Sequence, residues 1–444
     1  MILSNIQLEI PKENPFKYDR FNRGIIAENL EKIINNTNGS LVLSIDSGWG
    51  KGKTTFIKMW KQRLENKDEH KIVYFNAWEN DDKNDPLLAL IGEMEDVLFS
   101  STTQNSTFDK LKSFGKPLIK QAMPIAIKIL TNGILDLDKI QLGDFNEGQI
   151  TELAGKIGEL EMNGYKKEKQ AKIKFKEALC EYQKKEGKKV IFFIDELDRC
   201  RPTFAVETLE RIKHLFSIDN FVFIIALDKQ QLAYSIETLY GQKMDSNGYI
   251  KRFIDLEYCL PEPNRDIYVD FLLSNYELKN KNTEFFEKYL KEIIRVYDLS
   301  LRDLDKLFFY LKLVLPMTPM FDLEPKYTKT YLHIMGAIYS LFPVLKIKSS
   351  NYYEDFLRKD YEAARFATLS RINDIKFKDD LFSTIINKTL SLNITVRNTR
   401  INCEEFEIGD SDGWNSRFNL TDLMDDTKEF VFIKQLQFLD QFTL

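Results

Sequence analysis

Between an apolar run, Leu41–Ile45, and a segment of helical character, Phe56-Ile57-Lys58-Met59-Trp60, the chain carries Ser47-Gly48-Trp49-Gly50-Lys51-Gly52-Lys53-Thr54-Thr55. A buried strand leading into a glycine-rich turn and then a helix is the setting of a phosphate-binding loop. Glycines at 48, 50 and 52 let the backbone turn inward, so that its N–H groups line an anion-sized nest at a helix N-terminus. Gly48, Trp49, Gly50, Lys51, Gly52, Lys53, Thr54 and Thr55 are therefore candidate nucleotide contacts. Lys53 is placed to reach the β- and γ-phosphates, and the Thr54 hydroxyl to ligate Mg²⁺. The usual pattern begins with glycine where this chain has Ser47. The plainer reading is a glycine-rich turn that caps a helix.

A loop of this kind does not say whether a nucleotide is hydrolysed. The run Val190-Ile191-Phe192-Phe193-Ile194 leads into Asp195-Glu196-Leu197-Asp198-Arg199. An aspartate at the end of a buried strand, two strands from the loop, is where a second Mg²⁺ contact is needed. Asp195 would hold the ion through water, and Glu196 would orient or deprotonate the attacking water. The competing reading is a capped strand end followed by a turn. Asp228 ends the next apolar run, Phe221–Leu227, where it can touch the γ-phosphate or N-cap the following helix. Arg199, Arg201, Arg211, Lys251 and Arg252 are candidates for a charge-stabilising finger, with surface ion pairing as the alternative. Arg199, beside the acidic pair, and Arg252 stand out. Trp49 and Trp78, bulky aromatics near strand ends, read as core residues or as residues that shape the site.

At 444 residues the chain has room for two domains, or for one with a large insertion. A net charge of −5 argues against coating nucleic acid by bulk electrostatics and leaves a local basic patch open. Cysteines at 180, 200, 259 and 403 show neither metal spacing nor a disulfide framework, and fit a reducing cytosol. His70, His214 and His333 are too scattered for a histidine-based metal site. The N-terminus lacks a signal-peptide pattern. No apolar run approaches the roughly 18 residues that cross a bilayer. In the nearest, Leu118–Leu135, Lys120, Pro124 and Lys128 intervene, and Ile119, Met123, Ile127, Leu130 and Ile134 recur at helical spacing, as in an amphipathic helix.

Along the chain, residues 20–40 read as a helix with Ile25, Ile26, Leu30, Ile33 and Ile34 on one face. Ile72–Trp78 reads as a second strand, followed by a helix from near Pro86. Residues 100–187 break the rhythm as a helical insertion, whose lysine run from Lys166 to Lys176 alternates with glutamates and apolar residues as a solvated face does. The runs at 190–194 and 221–227 are continuously apolar, as in central strands covered on both faces, with helices at 203–217 and 229–240. The expected fold is α/β: a P-loop NTPase parallel sheet flanked by helices, with ligand at the strands' C-terminal edge. It carries a helical insertion and a mostly helical C-terminal domain. Helices are expected at 265–275, 283–297, 301–315 and 328–342, then a strand at Leu392–Val396 and a helix at 428–441. The expected domains are 1–264 and 265–444.

Four stretches together resemble the KAP family of P-loop NTPases: Asp19-Arg20-Phe21-Asn22-Arg23, Gly48–Thr54 with its tryptophan, Phe75-Asn76-Ala77-Trp78, and Asp195–Pro202, the last followed by Leu209-Glu210-Arg211-Ile212-Lys213. Ala226-Leu227-Asp228 and Tyr249-Ile250-Lys251-Arg252 also fit. The resemblance covers roughly residues 15–265. Glu196 stands where many relatives have a second aspartate, and many carry membrane helices in the insertion, which is too charged here. The resemblance implies a soluble, cytoplasmic member, bacterial or phage-borne, acting in antiphage defence beside a protein effector.

The expected activity is Mg²⁺-dependent ATP hydrolysis that drives a switch or assembly. Lys53 and Thr54 bind the phosphates and Mg²⁺, Asp195 completes the ion site, Glu196 positions water, and Arg199 joins Lys53 and Glu196 as a catalytic candidate. The alternative is a nucleotide-gated sensor with little or no hydrolysis. A homo-oligomer, the trigger and ATP against GTP are left open.

Overall fold

Successive strand residues point to opposite faces of a sheet, and in this chain both faces find apolar cover. The computed structural model describes residues 9–83, 85–99, 105–118, 147–317, 329–348, 405–409 and 415–419. The chain divides into two compact units, one spanning Leu8–Glu262 and the other beginning at Pro263.

In the first unit the elements run α1 (Arg23–Asn36), β1 (Leu41–Asp46), α2 (Lys53–Lys67), β2 (Lys71–Asn76), α3 (Pro86–Leu98), α4 (Asn105–Gly115), α5 (Glu147–Glu186), β3 (Val190–Asp195), α6 (Pro202–Leu215), β4 (Phe221–Leu227), α7 (Lys229–Tyr240), α8 (Ser246–Ile250) and β5 (Leu256–Cys259). The strands form one sheet in the order β2-β3-β4-β1-β5, and every neighbouring pair is parallel. β4 lies between the strand that feeds the glycine loop and the strand that ends in Asp195. All strand ends therefore open on one edge, the C-terminal edge of the sheet.

Parity sorts the core. Ile191 and Phe193 join Leu43, Ile45, Val222 and Ile224 under α1 and α2, where Leu30, Ile34, Phe56 and Trp60 are buried. Phe192 and Ile194 join Val73, Phe75, Phe223 and Ile225 on the other face, against Met94, Phe175, Leu179, Leu209 and Leu232. Phe192 stacks on Phe223 at 4.7 Å, and Phe216 meets Phe223 edge-on at 5.8 Å. Cover on both faces is why β3 and β4 read as unbroken apolar runs. In α5, Ala171, Phe175, Ala178 and Leu179 are buried while Lys166, Lys167, Lys169 and Lys174 face solvent, the solvated face expected of the lysine run.

Several expectations need correction. On α1, Ile25 and Ile33 are 61% and 42% exposed, and the buried stripe is Ala27, Leu30 and Ile34 with Arg23 and Glu31. Charge partners on α2 set that face: Trp60 Nε1 donates to Glu31, and Lys67 pairs with it at 2.6 Å. The second strand stops at Asn76, because the Asn76 side chain accepts from Trp78 N and turns the chain. β5 escapes a pattern search, being four residues long and largely exposed. Apart from Leu118, the proposed amphipathic helix lies outside the described residues, as do the expected strand at Leu392–Val396 and helix at 428–441.

The described part of the second unit comprises α9 (Arg265–Asn275), α10 (Glu284–Val296), α11 (Leu301–Val314), α12 (Lys329–Lys348) and an antiparallel pair, β6 (Glu405–Gly409) with β7 (Asn415–Asn419). Ser300 and Asp303 form a capping box at the start of α11. α10 buries Phe286, Tyr289, Leu290 and Ile293, and Gly336 of α12 comes so close that a Cβ there would lie 2.9 Å from Phe286 N.

α3 is fixed at its start by Asp85, whose carboxylate caps Leu87 N at 2.8 Å and pairs with Arg211 of α6 at 2.8 Å, both side chains nearly or fully buried. Removing one partner of a buried pair leaves the other uncompensated, so Asp85→Ala is expected to cost about 3–5 kcal/mol in urea unfolding. The double variant Asp85→Ala/Arg211→Met is expected to recover part of that loss.

Candidate functional site

The turn between β1 and α2 relies on two left-handed glycines, Gly50 (φ 72°) and Gly52 (φ 82°), the second standing at the N-cap of α2. Side chains avoid that region, which is why glycine is needed there. Gly48 has no such backbone; a Cβ at that position would instead crowd Lys51 Cε at 3.1 Å. The loop's carbonyls are held from outside. Arg23 Nη1 donates to Gly52 O at 2.8 Å and Nη2 to Lys51 O at 2.7 Å, a two-pronged hold from a residue only 3% exposed. Burial pushes the Arg23 guanidinium down to about 10, opposed by Asp19 and Glu262. Asp19 in turn accepts from Phe21 N and Gly24 N at 3.0 and 2.8 Å, setting the start of α1.

Lys53 is buried at the first position of α2, and its ammonium donates to the carbonyls of Ser47 and Gly48. Burial lowers its pKa, opposed by the carboxylates of Asp198, Asp228, Asp195 and Asp46. Thr54 Oγ1 lies 3.3 Å from Asp195 Oδ1, so the loop helix and the end of β3 meet. Asp195 is 1% exposed; its Oδ1 also accepts from Glu196 N at 3.0 Å, and its Oδ2 accepts from Tyr74 OH at 3.1 Å. Burial, with Glu196 next in size, raises the Asp195 pKa. Burial, and then the Asp195 carboxylate, push the Tyr74 phenol upward. Glu196 has a left-handed backbone, φ 61°, a strained conformation for a residue with a Cβ, and its Oε1 lies 3.0 Å from Arg199 Nη1.

The remaining candidates divide. Thr55 is half-buried in the first turn of α2, and Lys51 is paired with Glu262. Asp228 is the N-cap of α7, its Oδ1 accepting from Gln231 N at 3.1 Å. Arg201 pairs with Asp81 at 3.1 Å and Arg211 with Asp85, while Lys251 and Arg252 are exposed. Trp49 and Trp78 are not core residues, being 48% and 54% exposed. Trp49 Nε1 donates to Asp198 Oδ2, and the Trp78 ring lies 5.6 Å from the Arg199 guanidinium carbon. Three residues were not singled out from the sequence: Arg23 as the loop's clamp, Tyr74 as a partner of Asp195, and Asp46, whose Oδ1 accepts from Lys229 N at 3.0 Å. Arg23 closes the Asp19–Arg23 motif, which carries no role by itself, and Asp46 is visible as an acid at the end of an apolar run.

Asp195 and Thr54 fit a magnesium ion, since one buried carboxylate without a paired cation among the described residues and one adjacent hydroxyl are a typical protein share when phosphate and water oxygens supply the rest. Among the described residues no cluster of three or more His, Cys, Asp or Glu forms an alternative metal site, and no helix is long and apolar enough to cross a membrane.

A parallel sheet with a glycine loop at the C-terminal end of β1, followed by α2, defines a P-loop NTPase fold. The chain belongs to the KAP family: the KAP family P-loop domain model matches residues 23–316, continuing beyond the resemblance legible in the motifs. The chain is 23% identical over 255 residues to the Phage T7 exclusion protein of Escherichia coli K12. That match covers 55% of this chain and 34% of the relative, so the chain spans about a third of the length of the curated relative it matches. Among solved structures, the Aeropyrum pernix ORC2 protein in its ADPNP–ADP complexes aligns with 71% of this chain and 67% of its own, at 16% identity and a TM-score of 0.34. The C. elegans PCH-2 structure aligns with 75% and 72%, at 13% identity and a TM-score of 0.32.

Because burial holds the Asp195 carboxyl above its ordinary range, that group favours the fold while protonated. The contribution is full below its unfolded pKa and is lost as pH rises through the raised folded value. At neutral pH the ionised form is therefore a burden on stability. Asp195→Asn is expected to raise the melting temperature at pH 7 by about 2–4 °C, with a smaller gain below pH 4, in thermal scans without divalent ions.

Proposed function

We propose that the chain binds ATP with Mg²⁺ and hydrolyses it, using the cycle to switch a partner protein in antiphage defence. The observation that carries this reading is the meeting of Thr54 with the buried Asp195, beside Lys53 and Glu196, at the C-terminal edge of the sheet. In this reading the β- and γ-phosphates lie on the N-terminus of α2, and Lys53 exchanges its two loop carbonyls for phosphate oxygens. Arg23 keeps the Lys51 and Gly52 carbonyls turned away from the anion, leaving the N–H groups facing it. Thr54 and Asp195 would hold Mg²⁺, which when bound neutralises charge on the β- and γ-oxygens. Glu196 accepts the proton of the attacking water or orients it.

The defence role rests on the name of the exclusion-protein relative, and the effector on family kinship. We assign nucleotide handling to residues 1–264 and the reporting arm to 265–444, in a cytoplasmic protein. A second reading, a nucleotide-gated module with little turnover, is favoured by one observation: Glu196 is engaged by Arg199.

The test is steady-state hydrolysis of Mg·ATP alongside equilibrium nucleotide binding. Lys53→Ala is expected to lose both. Glu196→Gln is expected to keep binding and lose turnover by about 100-fold or more. Tight Mg·ATP binding without turnover in the unmodified chain would favour the gated module.

A further inference from the structure

One guanidinium beside Glu196 gathers contacts from two sides. Arg199 Nη1 reaches Glu196 Oε1 at 3.0 Å across the single 3₁₀ turn Leu197–Arg199, and its guanidinium carbon lies 5.6 Å from the Trp78 ring centre. The next residue back, Asp198, accepts from the indole of Trp49 at the tip of the glycine loop. An ion pair of this span on an open surface counts for little. Here the Glu196 and Arg199 side chains are 14% and 25% exposed, and an aromatic ring braces the planar guanidinium. The backbone of Glu196 is fixed independently, because its N–H is bonded to Asp195 Oδ1 and its carbonyl accepts from Arg199 N at 3.1 Å. What can move is the side chain.

A carboxylate oxygen that accepts from a guanidinium has a lone pair engaged and is a poorer acceptor for a proton from water. We propose that Arg199, braced on Trp78, is a positioning residue that holds the Glu196 carboxylate off the attacking water, and that hydrolysis proceeds when this pair opens. The proposal rests on the hydrolytic reading of Glu196. A cleft of about 470 Å³ lined by Trp49, Trp78, Arg199, Gln231 and Tyr234 gives the guanidinium room to swing clear. The bond from Trp49 to Asp198 places the loop tip on the same turn, so a shift of the loop reaches Arg199 through its neighbour.

Two measurements on the full chain test this. In the first, kcat and KM for Mg·ATP are compared for the unmodified chain, Arg199→Ala and Arg199→Lys, and again with Glu196→Gln added. Release of the carboxylate is expected to raise kcat of Arg199→Ala about fivefold or more with KM within about twofold. Arg199→Lys, which keeps the charge, is expected to return towards the unmodified rate, and Glu196→Gln to abolish the gain. A fall in kcat in Arg199→Ala, as for a group that stabilises transition-state charge, overturns the proposal, as does an unchanged kcat. The second measurement is acrylamide quenching of Trp78, taken as the difference from Trp78→Phe. Arg199→Ala and Glu196→Gln are each expected to raise its accessibility, and the double variant no further. A rise with Arg199→Ala and none with Glu196→Gln overturns the hold itself. No turnover in either chain with the quenching coupling intact refutes hydrolysis by Glu196, and with it any effect of the hold on rate.

Discussion

The buried carboxylate of Asp195 is the constraint around which the first unit is arranged. It ends a strand whose every residue is buried, and no cation pairs with it among the described residues. Ionised in such a place, it costs more than three ordinary hydrogen bonds return. Thr54, Tyr74 and the adjacent Glu196 amide satisfy its oxygens, so α2 and β2 are both drawn to the end of β3. A bound divalent ion would offset the remaining penalty. Binding energy and folding energy are coupled at this residue, which places stability and function in opposition.

The glycine loop illustrates a related dependence. A turn whose N–H groups face inward must turn its carbonyls elsewhere, and those carbonyls need donors. Arg23 supplies two of its N–H groups from the start of α1, and that position is set by the bonds of Asp19 to Phe21 and Gly24. The opening motif of the domain therefore acts on the loop at a distance of almost thirty residues. Trp49 makes a second link from the loop, to the turn that carries Asp198 and Arg199. The loop, the acidic strand end and the turn after it form one connected polar assembly above an apolar sheet.

Much of this architecture is legible in the sequence. The runs at 41–45, 190–194 and 221–227 announce strands covered on both faces, because only such strands lack a polar alternation. Pro86 marks the start of α3, and Asp228, an acid between an apolar run and a helix, holds the N-cap that such a position offers. Other elements were not legible, for reasons that can be named. β5 has neither length nor an apolar face, and exists because β1 offers it an edge. α1 buries Arg23 and Glu31 where periodicity points to isoleucines, since Glu31 finds cations on α2 and Arg23 finds the backbone carbonyls of Lys51 and Gly52 in the loop. Trp49 and Trp78 look like core residues by size alone, yet each finds its partner, an acid or a guanidinium, on the rim of the site.

The sequence by itself determined the class of fold, the phosphate loop and the acidic strand end. These depend on local backbone needs and on periodicity, which neighbouring residues carry between them. Tertiary structure alone decided which side chains complete the site. Tyr74 meets Asp195 because β2 and β3 pair in register, Asn76 opposite Asp195. Arg23 meets the loop because α1 packs where its guanidinium can reach two carbonyls. Such meetings depend on long-range register and packing, and no run of adjacent residues records them.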